Sequence, residues 1–131
     1  DDSQMRNALQ RYGIFYGRPA LGMKVQDVHR AADALLPSGS TAGIVGIAEG
    51  RSPWRTGDVG EIALFATLLS PRLDRATVRL SLLSYKAEAL ADPFASDYAT
   101  IPGVLEVGDL AQFLWAAATN SGDGGKVRFS T

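Results

Sequence analysis

Apolar and polar positions along the chain alternate between helical and strand periods, with short breaks at Gly and Pro. Met5, Leu9 and Tyr12 fall on one helical face behind a cap at Asp2 or Ser3, and Gly13 closes that helix. Ile14-Phe15-Tyr16 reads as a short β-like run, and Leu21–Val25 as a second strand. Val25, Val28, Ala32, Leu35 and Leu36 then line one helical face until Pro37 stops it. Ala42–Ala48 is continuously apolar and partly β-branched, the pattern of a strand buried on both faces. Ile62–Leu69 is apolar on nearly every side and predicts a buried helix, broken by Ser70-Pro71.

In the second half, Val78, Leu80 and Leu82 alternate with Thr77, Arg79 and Ser81, predicting a strand over Thr77–Tyr85. A short helix over Lys86–Ala91, a loop over Asp92–Pro102 and a short strand at Val104–Val107 follow. Asp109–Thr119 predicts a helix with one narrow polar stripe, its core face formed by Leu110, Phe113, Leu114 and Ala117, with Trp115 on a second apolar flank. Ser121–Gly125 is a turn, and Lys126–Ser130 a last strand. The sequence thus predicts an α/β (or α+β) class. It predicts one compact domain over residues 1–131, with a mixed sheet of about five strands and helices packed on it.

Composition narrows the chemistry. Hydrophobic residues make up 46% of the chain and charged residues 21%, ordinary globular values that argue against disorder. There is no cysteine and one histidine, His29, so thiolate chemistry, disulfides and histidine-rich metal sites are excluded. No apolar run approaches the roughly 20 residues that span a bilayer. A net charge of −1 argues against a dedicated nucleic-acid binder but leaves room for a local basic patch. The chain opens Asp1-Asp2-Ser3-Gln4 without Met, as a processed or excised piece would.

The loop after the 42–48 strand is the main candidate site. Ligands of α/β sheets sit beyond the carboxyl ends of strands. Arg51 and Arg55 there flank Trp54, two cations beside a stacking plane. Asp58 and Glu61 form a D-x-x-E helix-capping pattern just after them. Gly39, Gly43, Gly46 and Gly50 surround the strand without spelling a phosphate-binding motif. His29 has Asp33 at i+4, which resembles part of a triad, but no nucleophile accompanies it. Asp92, Asp97 and Tyr98 share a loop with Phe94 but lack calcium-loop spacing, and Asp123 is a turn residue. No catalytic residue, metal ligand or cofactor is identified.

Charge is partitioned along the chain. Arg51, Arg55, Arg72, Arg75 and Arg79 cluster in one stretch, whereas Ala87–Gly125 contains six acidic residues and no Lys or Arg. Opposite patches favour docking between copies or onto an unlike protein. The expectation is a non-catalytic interaction or self-assembly module, a homo-oligomer or a binder of a protein partner, using Arg51, Trp54, Arg55 and Asp58. Trp54 is expected to be partly exposed and to contact a second chain. The alternative is a small hydrolase or nucleotide/anion-binding domain using Arg51 and Arg55 for the anion and Asp58 as carboxylate. A third option is nucleic-acid binding by the five arginines with stacking on Trp54.

Overall fold

The computed structural model describes residues 13–47, 59–80, 83–91, 101–119 and 127–129. Residues 13–15 end a helical segment. There Gly17 N–H donates to Ile14 O and Arg18 N–H to Gly13 O, with Gly17 at φ 68°. This left-handed closing turn favours Gly. The Ile14-Phe15-Tyr16 run is therefore the end of a helix, with Phe15 and Tyr16 exposed, and not a strand.

Helix α1 spans Ala20–Leu35 and absorbs Leu21–Val25, the second segment expected to be a strand. Leu21, Val25, Val28 and Ala32 lie along one face of it, and Leu21 and Val25 are buried. Leu36 leaves the helix in extended geometry (φ −89°, ψ 134°), as a residue before proline must. Arg72 then secures this end. Its Nη2 donates to Leu36 O and Pro37 O at 2.8 Å each, and its Nη1 reaches Asp33 Oδ1 at 3.3 Å. A cation on the last carbonyls of a helix satisfies acceptors that the helix leaves open.

Strand β1 (Ala42–Ile47), helix α2 (Val59–Leu69) and strand β2 (Leu73–Arg79) form a parallel β-α-β unit. Strand β3 (Val127–Phe129) pairs parallel with β2, giving the order β1-β2-β3. Among the described residues the sheet thus has two full strands and one of three residues, all parallel. The expected mixed sheet of about five strands does not form. Two of its members lie in helices at residues 13–15 and in α1. A third, Val104–Val107, is a single helical turn, α4, launched by Pro102 and by Gly103 at φ 75°. Helices α3 (Tyr85–Ala91) and α5 (Leu110–Thr119) complete the described fold, which is α+β in character. No helix among the described residues is long and apolar enough to cross a membrane.

Helix α2 is the hub. It packs against both full strands and against α1 and α5. Ala63, Leu64, Ala66 and Thr67 are buried along it, so its apolar circumference is explained by neighbours on several sides. One core group joins Ala63 and Leu64 to Ala76, Val78, Tyr85, Leu110 and Ala117; a second joins Val25, Ala66 and Leu73. Phe65 and Phe113 meet edge to face, centroids 5.2 Å apart. Leu110 and Ala117, not Phe113 and Leu114, are the fully buried residues of α5, and Trp115 is 71% exposed. The residues that line these groups come from all five helices and one side of the sheet, with Leu80 and Ile101 from the connecting segments.

Candidate functional site

The residues singled out by sequence, Arg51, Trp54, Arg55 and Asp58, lie outside the described residues, as do Asp92, Phe94, Asp97, Tyr98 and Asp123. His29 and Asp33 are described, and each has another partner. His29 Nε2 donates to Ala66 O at 2.9 Å, tying α1 to α2, while Asp33 faces Arg72. The pair is structural, and this geometry builds no triad. Among the described residues no three His, Asp or Glu side chains are grouped to hold a metal ion.

A polar cluster does form beyond the carboxyl end of β2. Glu61, in the first turn of α2, is fully buried. Tyr85 opens α3 and is also buried, and its Oη has no hydrogen-bond partner among the described residues. Burial, reinforced by the charges of Glu61 and then Asp109, pushes the Tyr85 phenol above its ordinary range. It stays protonated at any physiological pH and offers no base.

Asp109 is the busiest member. Its carboxylate accepts from Ser84 Oγ at 2.5 Å, from Tyr85 N at 2.7 Å, from Lys86 N at 3.4 Å and from Leu110 N at 2.7 Å. Ser84 Oγ in turn accepts from Ala87 N at 3.0 Å, and Gln112 Oε1 accepts from Asp109 N at 2.7 Å. One carboxylate therefore caps two helices, α3 and α5, whose N-terminal N–H groups would otherwise be open. Burial works to raise the Asp109 pKa, but the Ser84 hydroxyl and the backbone N–H groups of Leu110, Tyr85 and Lys86 outweigh it, so the carboxyl lies below its ordinary value of 3.8. With its lone pairs engaged in capping, Asp109 is a staple rather than a reactive group.

The sign of its pH effect follows. A carboxyl depressed in the folded state contributes stability that is present above the unfolded value and lost as pH falls below 3.8. Asp109→Asn is expected to flatten the loss of stability on acidification below that pH, and Asp109→Ala to cost about 1–4 kcal/mol at neutral pH, the sum of two caps. Denaturant midpoints across pH check both, and an acid limb unchanged in Asp109→Asn would contradict the assignment. The sequence signals were the D-x-x-Q at 109–112 and the serine ahead of α3, which sequence reasoning passed over.

The second distinctive region is the sheet itself. On β1 the burial alternates, with Ala42, Ile44 and Gly46 inward and Gly43, Val45 and Ile47 outward. Val45 is 65% exposed and Ile47 42%. This corrects the reading of the strand as buried on both faces. On β2, Asp74 is an extra residue. Ala42 pairs with Leu73 and Gly43 with Arg75, so a bulge intervenes. Beyond it, Gly43, Val45 and Ile47 register with Arg75, Thr77 and Arg79. Arg75 and Arg79 are exposed, and Arg75 Nε lies 3.8 Å from Asp74 Oδ1. The open face thus carries two β-branched apolar side chains beside two cations. Of the five arginines, Arg72 is committed to the end of α1 and does not join them. Compared with protein-family models, curated proteins and solved structures, the chain matches none.

Proposed function

We propose that this chain is a non-catalytic interaction module that docks a partner protein on the open face of its sheet. The observation that supports this reading is the exposure of Val45 and Ile47 beside Arg75 and Arg79 on a parallel pair of strands. Parallel strands are almost always covered on both faces, usually by helices. The occupant that completes such a layer is an amphipathic helix. Its apolar stripe lies on Val45 and Ile47, and its flanks are acidic, to meet Arg75 and Arg79. Such a face disfavours a like copy, because arginine would meet arginine. Arg51, Trp54, Arg55 and Asp58, which the sequence singles out, are proposed to contribute to binding the same partner.

The test is a titration with a synthetic helical peptide bearing leucines on one stripe and glutamates on both flanks, beside a twin with lysines in place of glutamates. The glutamate peptide is expected to bind about tenfold tighter at low salt, the preference shrinking as salt screens the exposed charges. Val45→Glu and Arg79→Glu are expected to abolish binding, and Trp54→Ala to weaken it by about 2 kcal/mol. Equal affinity for both peptides, no binding by either, or binding untouched by Val45→Glu would overturn the proposal.

A further inference from the structure

We infer that the turn joining the helical end at residues 13–15 to α1 is a contact point for an anionic lipid surface. Phe15, Tyr16, Gly17 and Arg18 are all exposed. Phe15 is 85% exposed and Tyr16 74%, and their rings meet edge to face with centroids 5.7 Å apart. The backbone holds them there. Gly17 stands at φ 68°, and Arg18 N–H closes the turn on Gly13 O. Met23, in the first turn of α1, lies against the same turn. Its Cε is 3.7 Å from where a Cβ on Gly13 would stand, and the residue is itself exposed. Two rings and a thioether thus crowd one exposed end of α1, where an ordinary water-facing turn carries polar side chains.

Charge identifies what this tip meets. From Ser3 to Gln26 the chain carries Arg6, Arg11, Arg18 and Lys24 and no acidic residue, although its net charge is −1. Arg18 and Lys24 are exposed in the same segment as the rings. Asp27, the first acid beyond it, faces Arg30 at 3.3 Å. An apolar tip beside cations is complementary to a bilayer with anionic headgroups. The rings enter the interfacial zone, the Tyr16 hydroxyl stays at headgroup level, and the cations meet the lipid phosphates and carboxylates. A folded protein partner needs roughly 800 Å² from each side. A short turn supplies only a fraction of that, whereas a bilayer accepts a tip of any outline. Single-stranded nucleic acid stacks its bases on open ring faces. At an interplanar angle of 82°, Phe15 and Tyr16 present no shared face. The tip is also independent of the open sheet face, because α1 packs on the opposite, helix-covered side.

The test is co-sedimentation of the full chain with two kinds of vesicle, one of phosphatidylcholine alone and one of equal parts phosphatidylcholine and phosphatidylserine. Reversible binding to the anionic vesicles is expected, with far less to the neutral ones, and added salt should weaken it. Phe15→Ala is expected to lower partitioning at least about tenfold, and Arg18→Gln about fivefold. Phe15→Trp should retain it, because the larger ring suits the same interfacial zone. The denaturant midpoint of Phe15→Ala should match that of the parent, since the ring is exposed, so lost binding is not lost folding. Val45→Glu should leave vesicle binding unchanged, which separates this surface from the open sheet face. No binding to the anionic vesicles, equal binding to both kinds, or binding untouched by Phe15→Ala would each overturn the inference. So would capture of an oligothymidylate in preference to the vesicles, lost in Phe15→Ala, which would assign the turn to nucleic acid.

Discussion

Gly60→Ala is expected to destabilise the fold by about 3 kcal/mol or more, although alanine is the better helix former. Helix propensity favours the alanine by about 1 kcal/mol at an interior position. Gly60, however, lies against the end of β2. A Cβ built there meets the carbonyl oxygen of Arg79, comes within 2.8 Å of its carbonyl carbon and within 3.2 Å of Leu80 Cα. These are backbone atoms, which cannot swing aside as a side-chain tip does. The methyl group fits only if α2 lifts from the sheet, and α2 is the element on which α1, α5 and both full strands pack. Overpacking of a well-filled core costs about 1–3 kcal/mol when side chains yield, and a backbone conflict at the hub lies at or beyond the upper end. Chemical denaturation of the variant checks this. A midpoint equal to or above that of the parent would mean that α2 does not lie so close to β2.

Leu64→Ala is expected to cost about 2–5 kcal/mol. Leu64 is fully buried at the middle of α2, among Val78, Tyr85, Leu110 and Ala117. Removing its branched end takes away transfer energy and leaves a cavity that rigid neighbours on several elements fill only partly. A domain of this size is stable by only about 5–15 kcal/mol, so the loss is a large share. The same truncation at Leu114, which the sequence placed on the core face of its helix and near the centre of the core, is expected to cost less, because that residue is only half-buried. Denaturant midpoints of the two variants decide the order. Equal losses would mean that the core is centred on α5 and not on α2.

The local pattern of the chain was largely legible where apolar runs were bounded by strong breakers. Strand β1, helix α2, helix α3, helix α5 and strand β3 stand close to where the sequence placed them. Strand β2 was recognised only from Thr77 onward. The bulge at Asp74 breaks the alternation before that point, and Ser84 caps Tyr85 into a helix rather than leaving it in the strand. Ile14–Tyr16 and Leu21–Val25 were misread because short apolar runs look alike in helix and strand, and only the hydrogen bonds behind Gly17 settle the first of them. The number and direction of strands are set by long-range pairing, which period and composition do not encode.

The candidate surfaces were less legible, for physical reasons. A run such as AGIVGI reads the same whether a sheet is covered on one face or two, so the exposure of Val45 and Ile47 was invisible. Helix α5 is apolar nearly all round, so its pattern gave a core face through Leu110, Phe113, Leu114 and Ala117 and a second apolar flank at Trp115, without showing that this flank is exposed. The charge partition was legible as composition, but the structure divides it. Arg72 is used within the fold, whereas Arg75 and Arg79 remain on the open face. Asp109 was legible as a helix start but not as the shared cap of two helices, because Ser84 and Tyr85 are distant in sequence.

Docking on the open sheet face is tested most directly by methyl NMR with a soluble paramagnetic agent, with and without the glutamate-flanked peptide. The free chain is expected to show strong relaxation at the methyls of Val45 and Ile47, with Leu64 and Val78 protected on the opposite, helix-covered side. Added peptide is expected to protect Val45 and Ile47 and leave Ala111 and Ala118 unchanged. Val45 and Ile47 methyls shielded in the free monomer, or a peptide-bound state in which they remain as accessible as before, would contradict it.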